Sequence, residues 1–302
     1  MTFSVPGVNI LNFLNISGGR LLRKLRMLTP GTFLLLGTAN AARLEGIVPE
    51  QPFPSAREYY PPLAADPTEP AYGGRMIYPP GGARFGEITI GDHVGLTRWR
   101  LADRWNAQLN LGGGVMSRFN MSTERNSLEV VDFDLSVPLD IVFEPNQVLR
   151  LAYWHTSSHL GDDYIGREHP QQEKRAFDAL KAMVSWTPSE ALRFYGGGSF
   201  AFNQINLGGR GALQAGIEFM SRPVWGITHL FLAQDLQSQE RVGWNASYNI
   251  RGGLRWFDVK RIGAASLFAE YFTGREYYLQ FQERRESHWG FGLRFEIGNP
   301  VR

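Results

Sequence analysis

The chain has 302 residues, 43% of them hydrophobic and 13% aromatic, with 34 glycines and no cysteine. That is enough apolar material for a large core, yet no run approaches the ~20 consecutive apolar residues of a membrane-spanning helix. Disulfides and thiolate metal sites are excluded. The 20 Phe, 11 Tyr and 8 Trp beside so many glycines fit short strands with aromatic ends better than helices, where interior glycine is costly.

The one strongly polarised segment is N-terminal. Arg20, Arg23, Lys24 and Arg26 precede the apolar run Met27 to Gly37 and the small residues Thr38, Ala39, Asn40 and Ala41. A basic region, an apolar stretch too short to span and small residues before a cleavage point are the parts of a secretory signal, expected here over residues 1–41. The long stretch before Arg20 points to a start further down, with Met27 a candidate. Removing residues 1–41 takes away four basic and no acidic side chains, so the formal charge changes from +2 to −2. A nucleic-acid partner thereby loses its main support.

Residues 42–70 are interrupted by Pro49, Pro52, Pro54, Pro61, Pro62, Pro67 and Pro70. They are expected to form an extended periplasmic lead-in or plug-like arm, with a plain linker equally open. From residue 71 to 302 the pattern becomes strict alternation, the signature of strands with one apolar face. Val131, Phe133, Leu135, Val137, Leu139, Ile141 and Phe143 share one face, and Asp132, Asp134, Ser136 and Asp140 the other. The same contrast separates Trp289, Phe291, Leu293, Phe295 and Ile297 from His288, Arg294 and Glu296.

A soluble sandwich also alternates, so length and polarity decide between the two. Runs of ten or more residues match the ~9–11 of a tilted transmembrane strand, and acids and arginines recur on the second face. The predicted fold is an all-β, antiparallel up-and-down transmembrane barrel of about 12 strands, with an even strand count as in bacterial barrels. Connections alternate between short (144–146, 187–190, 222–226) and long (158–173, 274–286). Short turns belong to the periplasm, which places both termini there and the barrel in the bacterial outer membrane. The aromatic strand ending at Phe295 and Ile297 is similar to the C-terminal assembly signal of such barrels, which implies the barrel assembly machinery as a partner.

The most informative chemistry lies at the end of the strand around 147–158. Leu149, Leu151 and Tyr153 define a lipid face, and period two puts His155, Ser157 and His159 on it. Polar groups facing lipid are costly unless paired or interfacial. On the next strand Leu180, Ala182, Val184 and Trp186 are apolar, and Asp178 continues their series. Pairing Leu151 with Ala182 and Tyr153 with Leu180 would set His155 opposite Asp178. Ser157, His155 and Asp178 would then be nucleophile, general base and base-orienting carboxylate for acyl transfer.

The segment His155, Thr156, Ser157 resembles the His-x-Ser motif of outer-membrane phospholipase A and of the lipopolysaccharide deacylase. Both are barrels with an outward His and Ser near the outer leaflet and a third polar residue on the following strand. The third residue is Asn or Glu in those families and Asp178 here. More of the chain, from Phe53 through Ser157 to Tyr164 and on to the C-terminus, resembles a bacterial family known only as a domain of unknown function, which implies an outer-membrane barrel and no established activity.

Asp162, Asp163, Glu168 and His169 offer oxygen and nitrogen ligands but no regular calcium spacing, so a solvated acidic loop is expected and no cofactor is assigned. Gly112 to Gly114 and Gly196 to Gly198 fall within strands and read as bends or close packing. Inward Arg251, Arg255, Arg294, Glu218, Glu270 and Glu296 are expected to fill a narrow lumen with ion pairs. The reading is an outer-membrane barrel whose sharp functional hypothesis is lipid acyl hydrolysis, with phospholipid or lipopolysaccharide as partner. A non-enzymatic envelope barrel and a narrow channel are the alternatives.

Overall fold

Alternating side chains commit each segment to a strand with one apolar and one polar face, and the only closed way to satisfy every ladder is a barrel. The computed structural model describes residues 47–52, 58–101, 105–259 and 263–297. The expected signal segment 1–41 lies outside them.

Among the described residues thirteen strands run in chain order: β1 (Ile47–Pro52), β2 (Tyr72–Tyr78), β3 (Phe85–Leu101), β4 (Trp105–Asn120), β5 (Ser127–Glu144), β6 (Gln147–Leu160), β7 (Arg175–Ser189), β8 (Leu192–Ile205), β9 (Gly211–Met220), β10 (Thr228–Gln239), β11 (Ala246–Val259), β12 (Gly263–Arg275) and β13 (Arg285–Ile297). From β2 to β13 each strand pairs antiparallel with its neighbour in sequence, and β13 closes on β2 through Phe291↔Met76 and Phe295↔Tyr72. The result is a closed twelve-stranded barrel, and β1 adds to β3.

The distribution of residues is inside out relative to a soluble protein. Leu135, Leu180, Phe200, Leu213, Leu232 and Phe291 are exposed, whereas Glu87, Asp140, Arg150, Asp235, Arg251 and Glu270 are buried. Such an outer face is stable in hydrocarbon, and most of the enclosed charges are ion-paired, while Asp235 accepts from Tyr195, Gln214 and Gln237. Arg251 meets Glu270 at 2.7 Å, Arg255 meets Glu296 at 2.7 Å, and Arg150 meets Asp140 at 2.7 Å. Arg118 reaches Glu87, Glu276 and Glu286 at once, at 2.7, 2.7 and 2.8 Å.

Residues 58–70 run inside the barrel. Proline supplies no donor, so the carbonyls of this stretch need partners, and lumen side chains provide them. Arg193 Nη2 donates to Pro61 O at 2.9 Å, Arg294 Nη1 to Leu63 O at 2.9 Å, Arg251 Nη1 to Ala64 O at 2.9 Å and Asn249 Nδ2 to Ala65 O at 2.7 Å. The Tyr60 ring lies between the guanidinium groups of Arg150 and Arg193, 4.6 and 4.8 Å from their carbons. At the end of the barrel that carries the long loops, residues 276–284 fold inward and bury Tyr278 and Phe281 against Met116, Val130 and Tyr164.

Close strand approach makes one glycine indispensable. Tyr195 on β8 stretches across Gly216 on β9 to donate to Asp235 Oδ2 on β10 at 2.7 Å. A β-carbon at 216 would collide with the Tyr195 ring and with Gln234 O. Gly216→Ala is expected to destabilise the barrel by about 1–3 kcal/mol, the usual cost of overpacking, read from the urea midpoint of the protein in lipid vesicles. An unchanged midpoint would refute that crowding.

Candidate functional site

The register of β6 against β7 is set by burial, because a one-residue slip would turn every apolar side chain of the pair inward. Leu151 pairs with Ala182, Tyr153 with Leu180 and His155 with Asp178, as the apolar pattern of the two strands requires. On the other side of β6, Leu135 and Phe133 of β5 stand opposite His155 and Ser157. The site therefore faces outward, toward the end of the strands that carries the long loops.

Asp178 is the hub. His155 Nδ1 lies 2.8 Å from Asp178 Oδ1, and Tyr153 Oη donates to the same oxygen at 2.7 Å. Asn203 Nδ2 on β8 donates to Oδ2 at 2.7 Å. An ionised carboxylate only accepts, so His155 Nδ1 carries the proton of this contact, and in the neutral ring Nε2 is the acceptor. Part exposure remains: the His155 side chain is 36% accessible and that of Asp178 20%.

Ser157 shares the outward face two residues on, about 6.6 Å along the strand from His155 by strand rise. Among the described residues no hydrogen bond joins His155 Nε2 to Ser157 Oγ. Such contacts tighten when substrate binds, so an open Ser–His pair is compatible with catalysis. His159, the next residue on this face, meets the Phe133 ring edge-on at 5.9 Å between centroids.

Two polar members were not picked out from the sequence. Tyr153 was counted among the apolar lipid-facing residues, although its hydroxyl two residues before His155 on the same face is a usable signal. Asn203 carried none, because a register shift between Asp178 and Ala179 lets β8 pair Asn203 with Asp178 and Ala201 with Ala179.

The acidic residues after β6 form a short helix, α1 (Asp162–Glu168), where an irregular loop was expected. Asp163 Oδ2 accepts from Leu128 N at 3.3 Å, Glu168 pairs with Arg167, and His169 caps the helix in the left-handed conformation. Two acids in the first turn suit the positive end of a helix. No group of three or more such ligands that could hold a metal occurs among the described residues.

A closed even-stranded antiparallel barrel with an apolar exterior, an ion-paired interior and a polar cluster at its outward rim is a barrel of the outer-membrane type. The chain belongs to the family described as "Protein of unknown function (DUF1207)", whose model matches residues 26–297. Among solved structures, outer membrane phospholipase A from Escherichia coli shares 11% identity over 80% of this chain and 95% of that one, with a TM-score of 0.55. The calcium-bound dimer of the Salmonella typhi outer membrane phospholipase shares 12% over 78% and 94%, with a TM-score of 0.51. An outer membrane channel from Pseudomonas putida F1 shares 14% over 80% and 98%, with a TM-score of 0.42. At these identities the likeness is one of fold. No curated protein matches the chain significantly.

Proposed function

We propose that this outer-membrane barrel is a lipid acyl hydrolase acting at the outer leaflet on phospholipid or lipopolysaccharide. The observation that carries the reading is the 2.8 Å contact from His155 Nδ1 to Asp178 on the lipid-facing surface, which makes Nε2 the acceptor of the neutral ring, with Ser157 two residues along the same face. A buried or membrane-facing ion pair with no task is a net cost, so its place among leucines wants a reason.

In this reading Ser157 Oγ attacks the carbonyl carbon of an acyl ester while His155 Nε2 takes the hydroxyl proton. The same proton then passes from Nε2 to the departing alkoxide, leaving an acyl-serine. Water, deprotonated by Nε2, releases the fatty acid and restores the serine. Asp178 holds the imidazole in the required tautomer and stabilises it when charged, and Tyr153 and Asn203 hold Asp178.

The orientation follows from loop lengths: with the short turns periplasmic, both termini lie in the periplasm and the site at the outer leaflet. A secretory signal over residues 1–41 and insertion by the barrel assembly machinery complete the picture. A channel receives less support, since residues 58–70 and 276–284 occupy the lumen.

Purified protein presented with phospholipid vesicles and with lipopolysaccharide should release fatty acid from at least one. Ser157→Ala should lower that rate by roughly 10³-fold or more. Absence of acyl release from either lipid by the folded wild-type barrel would remove the hydrolase reading.

A further inference from the structure

Nearly every lumen arginine has a carboxylate or carbonyl partner, which makes two cations on one wall unusual. Lys181 of β7 donates no hydrogen bond and makes no ion pair among the described residues, and its ammonium lies 4.8 Å over the Trp154 ring. Arg241, in the 3₁₀ turn Glu240–Val242 after β10, uses only Nε, which donates to Gln239 Oε1 at 2.6 Å. Its guanidinium carbon lies 4.8 Å over the Phe177 ring, and neither terminal nitrogen has a partner among the described residues.

Both residues line the same cavity of about 40 Å³, together with Gln237, Gln239 and Ser199. The tip of the inner segment, Asp66 and Thr68, forms its wall on the side of the short turns.

The carboxylates nearby are already engaged. Asp66 accepts from Thr68 N, Thr68 Oγ1, Gln214 Nε2 and Gln237 Nε2 at 2.7–3.1 Å. Asp132 accepts from Ser158 Oγ and from Leu279 N. Burial draws the Arg241 guanidinium down to about 10, opposed by Asp132, which still leaves it charged at neutral pH. The cavity wall carries the cations Lys181 and Arg241 against the one carboxylate of Asp66, and this excess of positive charge suits an anion. A guanidinium fork with free terminal nitrogens and an ammonium, lining one cavity with amide and hydroxyl groups, suit a planar or tetrahedral oxyanion.

We infer that this cavity beside β7 to β10 is a binding site for a small anion bearing a carboxylate or phosphate group, held between Lys181 and Arg241 above the tip of the inner segment. The chamber is separate from the outward His155–Asp178 cluster and does not depend on any catalysis there.

The test is isothermal titration of the full chain in detergent with sodium phosphate and, separately, sodium acetate, against sodium chloride as control. Saturable binding of at least one oxyanion is expected, and which one binds identifies the group. Lys181→Gln and Arg241→Gln should each weaken it by about tenfold or more, since each removes one charged donor to the anion. Ser199 stands directly opposite Lys181 in the β7–β8 ladder, so Ser199→Asp supplies a tethered carboxylate and should abolish binding in a barrel of unchanged strand content. Absence of saturable binding of both oxyanions, or undiminished affinity in the folded Ser199→Asp protein, would overturn the assignment.

Discussion

Under the proposed hydrolysis, Asp178→Leu is expected to slow acyl release by roughly 10²- to 10⁴-fold, because His155, the base in that reading, loses the group that fixes its tautomer. Asp178→Asn is expected to lose only about tenfold, the difference between a charge-assisted and a neutral hydrogen bond. The reason lies in the local donors. Tyr153 Oη and His155 Nδ1 both converge on Oδ1, so an asparagine there is held with its carbonyl oxygen toward them. Asn203 then turns its own amide to accept from the new NH₂ group. Initial rates on lipid vesicles across a pH series would measure this. Leucine as active as wild type would exclude any role for Asp178. Asparagine as poor as leucine would show that charge, and not orientation, is what His155 needs.

Arg118→Met should be the most destabilising single change in the lumen, by about 3–5 kcal/mol at neutral pH, the cost of breaking a buried ion pair from one side. Arg118 is the common partner of Glu87, Glu276 and Glu286, and it donates to all three. Burial, with a contribution from Glu286, holds the Glu276 carboxyl well above its ordinary 4.5, and Arg118 works against that rise. The folded state therefore binds the Glu276 proton more tightly than the unfolded chain. The stability this contributes is complete below about 4.5 and is lost as pH rises through the raised value. Without Arg118 the rise is larger, so the variant's deficit should be greatest at neutral pH and should narrow on acidification. Urea unfolding in lipid vesicles at pH 7 and pH 4.5 measures both terms, and a deficit that does not change with pH would assign the loss to packing instead of charge.

Much of the architecture was legible from residue types alone. Alternation with period two marks a strand wherever one face is apolar, and the twelve barrel strands β2 to β13 follow it. The same rule set the His155–Asp178 register, since any slip would invert Leu151, Tyr153, Leu180 and Ala182 together. Lumen pairing of Arg251 with Glu270 and of Arg255 with Glu296 follows from having both signs of charge on the enclosed face.

What lacked a period was decided by tertiary structure. Residues 58–70 carry prolines in place of a pattern, and only the ring of Arg150, Arg193, Arg251 and Arg294 around their carbonyls determines that they lie inside the barrel. Asn203 reaches Asp178 across a register shift, and Lys181 and Arg241 share a cavity although sixty residues separate them. Periodicity is a property of neighbours along one strand, whereas a site assembled across strands depends on closure of the sheet, which brings distant residues within reach of one another.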